Sequence, residues 1–388
     1  MSARRKVLVI IGQLEVGGTE RHLLNVLPRL RRDSLNVTIY SMRAGGSLEN
    51  EFSAAGIETL SPAHHSRRWV GLIRTAFHLT RTLRTLRPEV VHFFLPEAYL
   101  LGGLCSLFAP SCVRLMSRRS LNDYQRKWPF ARSIEKLLHT RMNGILANSK
   151  AVLADLEQEG VNRDRCAVIY NGVAEPARLS ANSRGKIRRD LGLADNVIVL
   201  IMVANFIPYK GHRDLLSALA IVRGELPEPC KLLLIGNDRG IEAELRAQAR
   251  AASLDRHVIW LGAKTDPLDY LSGADIALLT SHEEGFSNAI LEAMAVGLPL
   301  IVTDVGGNRE AVVDGDTGIV VPAQSSGSLA RAIVRLASAP LLRDKMARSG
   351  HERVISHYHI DECARRYENL YMRTTSSETE PLSDVIAR

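Results

Sequence analysis

The strongest constraint on this chain is an alternation that runs its whole length. Short apolar runs of strand length take turns with helix-length amphipathic stretches. Val7–Ile11, Val37–Tyr40, Val90–Phe94, Val113–Met116 and Gly144–Ala147 read as strands. Glu20–Leu30 and Leu72–Leu86 show helical spacing, the latter with Arg74, Arg81 and Arg84 directed to water. Strand–helix–strand repetition of this kind predicts a parallel sheet with helices on both faces. The rhythm breaks at the polar, basic stretch Asn182–Arg189, which follows Pro176 and is expected to be an interdomain linker. It then restarts, with Val197–Val203, Lys231–Ile235, His257–Leu261, Ile276–Thr280, Leu300–Thr303 and Ile319–Val321 as strands.

The expected fold is therefore α/β, with two tandem doubly wound domains and ligands at the carboxyl ends of the strands. A length of 388 residues exceeds one ordinary core, and 46% hydrophobic residues are enough for two. The expected boundaries are 1–178 and 179–360. An amphipathic helix at about 361–375 would cross back onto the first domain, and a Ser/Thr/Glu-rich tail, 376–388, would fray.

Composition narrows the setting. No apolar run approaches the roughly 18 residues of a membrane span, and Val7–Ile11 is too short for a signal peptide. The five cysteines are scattered, with no C-x-x-C pair, as expected of reduced thiols in a cytoplasmic protein. Charge is uneven: residues 1–175 hold 25 Lys/Arg against 15 Asp/Glu. Arg67-Arg68-Trp69 and Arg126-Lys127-Trp128 pair cations with an interfacial aromatic, which suits peripheral contact with anionic lipid at the inner face of a membrane. Helix-turn-helix, zinc and aromatic–basic strand patterns are absent, so nucleic acid is not an expected partner. No D-x-D at a strand end, H-E-x-x-H, G-x-S-x-G or Walker loop occurs.

Chemistry concentrates in Ser281–Pro299, S-H-E-E-G-F-S-N-A-I-L-E-A-M-A-V-G-L-P. An apolar strand ends in a loop, Ser287 or Asn288 is positioned to cap the next helix, and Gly297-Leu298-Pro299 stops it. The amino end of such a helix offers N–H groups and a positive dipole to a diphosphate. Glu284 in the loop and Glu292 one turn into the helix are suited to accept hydrogen bonds from sugar hydroxyls. Ahead of them, Ala204-Asn205-Phe206-Ile207-Pro208-Tyr209-Lys210-Gly211-His212 follows a strand and carries a lysine suited to a departing phosphate. Gly12–Glu20 is a glycine-containing loop without G-x-G-x-x-G spacing, in which Gly17 and Gly18 permit close backbone approach.

These strings resemble the family 4 glycosyltransferases, glycosyl transferases group 1, a retaining group with the GT-B fold of two Rossmann-like domains. Glu284 and Glu292 match its E-x7-E motif, in which the first glutamate contacts the transferred sugar and the second the ribose. Lys210 matches its diphosphate-binding K-G loop, so Glu284 and Lys210 are the implied catalytic pair. Gly17 and Gly18 match the glycine-rich N-terminal loop, Val305–Glu310 resembles a second glycine turn near the donor, and Gly285, Phe286, Ser287 and Asn288 belong to the E-x7-E string. Gly236, Ala263 and Lys264 follow strands at positions where relatives approach the donor.

Two departures stand out. Asn205 occupies a place where the family often has arginine, and Ser117–Tyr124 lacks the histidine many relatives carry there. His92, Arg118, Arg119 and Asn171 are the candidates for diphosphate or acceptor contacts in the first domain. The resemblance implies a metal-independent, cofactor-free transfer of a sugar from a UDP- or GDP-linked donor to a glycan or lipid-linked acceptor, in cell-surface polysaccharide or glycolipid synthesis. The alternatives are a non-catalytic nucleotide-sugar binder and another GT-B enzyme such as a sugar-nucleotide epimerase.

Overall fold

The structure, a computed structural model, describes residues 4–63, 68–121, 129–175, 181–222, 224–225, 229–264, 266–375 and 380–387. Arg67 and Arg126-Lys127-Trp128 lie outside them, as do the side chains of residues 68–69, 129–131 and 181–182. The chain forms two compact units, Met1–Gly172 with Ile360–Arg388, and Val173–His359.

In the first unit seven strands run parallel: β1 (Arg5–Ile11), β2 (Leu35–Ser41), β3 (Glu58–Leu60), β4 (Val90–Phe94), β5 (Val113–Arg118), β6 (Gly144–Ala147) and β7 (Cys166–Val168). Their order is β3-β2-β1-β4-β5-β6-β7. The fully buried Val90–Phe94 segment explains its unbroken apolar run, since both faces are covered. One face packs Val7, Val9 and Ile11 against Tyr367, Leu370 and Tyr371 of the helix Ile360–Arg373. The other packs Leu8, Ile10 and Phe93 against Leu79, Leu83, Tyr99 and Leu138. The edge strands β3 and β7 are absent from the sequence reading, because three residues are too few to display a period of two.

The second unit holds β8 (Ile198–Val203), β9 (Cys230–Ile235), β10 (Val258–Gly262), β11 (Ile276–Leu279), β12 (Leu300–Thr303) and β13 (Gly318–Val321), parallel and ordered β10-β9-β8-β11-β12-β13. Strand order reverses between β8 and β11, the position at which open α/β sheets bind ligands.

Three expectations are corrected. The basic stretch placed as a linker is a helix, Ala181–Asp190. Two of its arginines are structural supports: Arg184, partly exposed, pairs with Asp275 at 2.6 Å. Arg188, only 1% exposed, donates to the carbonyls of Gly273, Ala194 and Val197 and lies 3.4 Å from Asp275. The tail expected to fray ends in the helix Leu382–Ala387, with Leu382, Val385 and Ile386 buried in the first unit. The first unit ends at Gly172 rather than at residue 178. All five cysteines are free and buried. Among the described residues no helix is long and apolar enough to cross a membrane.

Truncating Arg188 to alanine would strand the buried carbonyls of Gly273, Ala194 and Val197 and leave Asp275 to Arg184 and the Val199 N–H. Breaking a buried pair from one side costs about 3–5 kcal/mol. A urea titration of Arg188→Ala is expected to show that loss.

Candidate active site

β8 and β11 lie side by side, so the loops leaving their carboxyl ends are neighbours. The β8 loop runs from Ala204 to Gly211 and closes in a short turn, Pro208–Lys210. Gly211 has φ +71°, and a Cβ there would fall 1.9 Å from the carbonyl oxygen of Thr280. That close approach lets the buried Thr280 hydroxyl reach the carbonyls of Lys210 and Gly211, at 3.1 and 3.0 Å. The backbone N–H of His282 adds a bond to Tyr209 O, 2.7 Å, and His282 Nε2 lies 2.6 Å from Asp214 Oδ2.

This stitching places the Lys210 ammonium 2.5 Å from Glu284 Oε1. The Ser281 hydroxyl donates to the same oxygen, 2.7 Å. Both charged side chains are largely buried, 18% and 10% exposed. Burial opposes the Lys210 charge, but the attraction of Glu284 and Tyr209 outweighs it and the pKa rises above its ordinary value. Lys210 also lies 5.3 Å over the Tyr209 ring.

Glu284 is held from its other flank. Gly306, φ +49°, brings its backbone so close that a Cβ would fall 1.7 Å from Glu284 O. The Gly307 N–H donates to Gly285 O, 2.9 Å, and the Thr303 hydroxyl to Ser281 O, 2.6 Å. The helix Asn288–Val296 follows, ended by Gly297 at φ +79°. Ser287 stands at its N-cap with extended backbone, but its side chain makes no capping bond, contrary to expectation. Phe286 is buried, its ring 5.3 Å from that of Tyr358, and fixes the loop to the core. Glu292 is half-buried one turn inside.

The other expected donor positions are spread along the same strand ends. Asn205 Oδ1 accepts the Asn237 N–H, 3.1 Å, so this asparagine ties the β8 and β9 loops together. Gly236, after β9, is packed so tightly that a Cβ would lie 2.0 Å from Ala204 O. Ala263 and Lys264 follow β10, three strand spacings from β11, which is about 14 Å. Lys264 is turned over the Tyr270 ring, 5.5 Å. The His282–Asp214 pair and the hydroxyls of Thr280, Ser281 and Thr303 escaped the sequence reading. Ser281 and His282 stand inside the S-H-E-E string, which was their only signal.

In the first unit the expected residues part company. Gly17 precedes the helix Gly18–Val26, and a Cβ on it would meet Glu20 Oε2 at 2.3 Å, so glycine admits the folded-back carboxylate. Burial raises the Glu20 pKa, against its own backbone N–H and Arg119. Arg119 is half-buried and donates to Asn171 Oδ1, 2.6 Å, while Asn148 donates to its carbonyl, 3.2 Å. Desolvation depresses its pKa, opposed by Tyr367, Cys363 and Glu20.

Arg118 and His92 are corrected. Arg118, 3% exposed, is engaged by Glu135 at 2.5 Å and Glu159 at 2.8 Å beneath the sheet. His92 is fully buried, with Nδ1 2.9 Å from Tyr371 Oη and Nε2 2.9 Å from Ser117 Oγ. Desolvation, with the nearby Arg119 charge, holds its pKa well below the ordinary value, so it is a neutral interior hydrogen-bonder.

Residues 183–353 match the model for glycosyl transferases group 1, and residues 16–175 that for glycosyltransferase family 4. The chain belongs to this family of glycosyltransferases. It is 28% identical over 203 residues to an N-acetyl-alpha-D-glucosaminyl L-malate synthase of Bacillus anthracis, a match covering 52% of each chain. It is 25% identical over 341 residues to a Campylobacter jejuni N-acetylgalactosamine-N,N'-diacetylbacillosaminyl-diphospho-undecaprenol 4-alpha-N-acetylgalactosaminyltransferase, covering 84% of this chain and 88% of that one. Among solved structures, HepE of Anabaena, crystallised with UDP and glucose, superposes with a TM-score of 0.85 at 21% identity, over 94% and 98% of the two chains. That likeness shows the fold, GT-B, with two α/β domains.

The contacts at Gly211 and Gly306 leave no room for a methyl group. Gly306→Ala in this glycosyltransferase is expected to cost about 1–3 kcal/mol through backbone strain alone. A thermal melt of the variant checks it, with Gly240→Ala as the control: Gly240 also has positive φ but open space around it.

Proposed function

We propose that this glycosyltransferase moves a sugar, with retention and without a metal ion, from a UDP- or GDP-linked donor to a lipid-linked or growing glycan acceptor. The process would be cell-surface polysaccharide or glycolipid synthesis at the cytoplasmic face of a membrane. One observation carries the reading: a largely buried lysine and glutamate are paired at the strand-order switch point, immediately before a helix amino terminus. HepE is known in complex with UDP and glucose and with UDP-glucose, which supports a nucleotide-sugar donor. The undecaprenol-linked acceptor in the Campylobacter relative's name supports a lipid-linked one.

The ion pair gives the site two exchangeable partners. An arriving diphosphate takes Lys210 from Glu284 and lies against the first turn of the helix Asn288–Val296, where N–H groups and the dipole favour negative charge. Released, Glu284 accepts hydrogen bonds from the sugar hydroxyls, and Glu292 those of the ribose. The acceptor hydroxyl then attacks the anomeric carbon on the face the diphosphate leaves. The carbon–oxygen bond to the phosphate breaks, and a phosphate oxygen takes the acceptor's proton, giving glycoside and nucleoside diphosphate. Lys210 and the helix end stabilise the charge growing on the leaving group, and positioning supplies the rest. Within the first unit Arg119, Gly17 and Gly18 are the candidates for substrate contacts, with the buried Asn171 holding Arg119.

Lys210→Ala is expected to lower donor turnover by roughly 10²–10³, and Glu284→Gln to impair it as well, while excess EDTA leaves the wild-type rate unchanged. Slow donor hydrolysis without acceptor is a sufficient readout. A Lys210→Ala rate within twofold of wild type would remove the proposal, and loss of activity in EDTA would remove its metal-independent part. A thermal-shift comparison of UDP and GDP identifies the base, because the ligand bound by the native state raises the melting temperature.

A further inference from the structure

Thirteen large apolar side chains are exposed among the described residues, and eight of them fall on one face of the first unit. That face is built from the helix Arg68–Leu86, residues 103–108 and the helix Pro129–His139. The three segments are neighbours. Cys105 Sγ lies 3.6 Å from Ala76 O, and Arg84 Nε donates to Phe108 O at 3.2 Å. A Cβ on Gly103 would meet Leu138 Cδ1 at 2.9 Å.

Helical spacing sorts the longest segment. Thr75, Leu79 and Leu83, four residues apart, form the buried stripe. Ile73 and Phe77, 71% and 73% exposed, point the opposite way, as do Arg74, Arg81 and Arg84. Phe108 and Leu137 extend the apolar surface, at 67% and 53%. Its charge is of one sign. Residues 68–86 and 103–112 contain no Asp or Glu, and the only acid of 129–139, Glu135, is buried on Arg118. Arg132 and Lys136 are exposed beside it.

Exposed bulky side chains interleaved with arginines, on a helix with no exposed carboxylate, match the chemistry of the boundary between headgroups and acyl chains. The phosphates meet the guanidinium groups, and Ile73, Phe77 and Phe108 enter the apolar layer. We propose that this face seats the protein on an anionic lipid bilayer. The proposal rests on the lipid-linked-acceptor reading above and names the surface that would bring the enzyme to such an acceptor. A second copy of the chain is the disfavoured occupant, because like-charged faces repel.

The test is flotation of the intact protein with vesicles of phosphatidylcholine and phosphatidylglycerol, and with phosphatidylcholine alone. Wild type is expected to float with the anionic vesicles and to dissociate as salt rises from about 0.05 to about 0.5 M. Ile73→Asp/Phe77→Asp is expected to lower partitioning at least ~10-fold, with donor hydrolysis unchanged. Arg74→Glu/Arg81→Glu, on exposed positions, is expected to lose anionic-vesicle binding as well and carries the test if the first variant melts early. Wild-type-like flotation of the folded variants overturns the proposal. So does wild type that ignores both vesicles while the aspartate variant converts a dimer to a monomer on size exclusion. Protein that floats as described but hydrolyses no donor overturns the functional reading and leaves this face standing.

Discussion

The close approach of Gly211 to Thr280 is the contact on which the candidate site depends. Two adjacent parallel strands deliver two loops to one place, but adjacency alone does not aim a side chain. A left-handed backbone without a Cβ lets the β8 loop press onto the end of β11, where the Thr280 hydroxyl holds two successive carbonyls. Lys210 is thereby directed at Glu284. Gly306 presses on Glu284 from the β12 side. The ion pair is thus clamped between two backbone contacts that admit no methyl group, and its geometry is built before any substrate arrives. In the proposed reaction the clamp would keep both side chains at hand while the diphosphate takes Lys210 from Glu284.

Arg118 and Arg119 show how one residue of register changes a role. Successive side chains at a strand end point to opposite faces of the sheet. Arg118 enters the layer that holds Glu135 and Glu159, where two carboxylates neutralise it. Arg119 turns to the other layer, among Glu20, Asn171 and Tyr367. Paired buried charge of the first kind contributes little net stability once desolvation is counted, although removing one partner is costly. The second arginine remains half-buried beside Glu20 of the glycine loop.

Much of the molecule was legible in the sequence. The strands with four or more residues announced themselves through apolar runs, whereas the pairing of β8 with β11 appeared only in the structure. Lys210, Glu284, Gly306 and Gly297 stood in strings whose turn chemistry is local: a strand end, a glycine, a helix start. The illegible parts share a different cause. His92 looks like any histidine at a strand end until Tyr371, 279 residues later, takes one nitrogen and Ser117 the other. Asn182–Arg189 reads as a solvated linker until Asp275 and the carbonyls of Gly273 and Ala274 engage Arg184 and Arg188. Ser287 has the composition of a cap without making the bond.

By itself, then, the sequence determined the layer architecture, the glycines that must turn the chain and the residue types offered at each strand end. These depend on periodicity and backbone sterics within a few residues. Tertiary structure decided which polar side chains are consumed in the interior and which are left to meet a substrate. That choice depends on partners tens to hundreds of residues away, and on the cost of burying a charge without one.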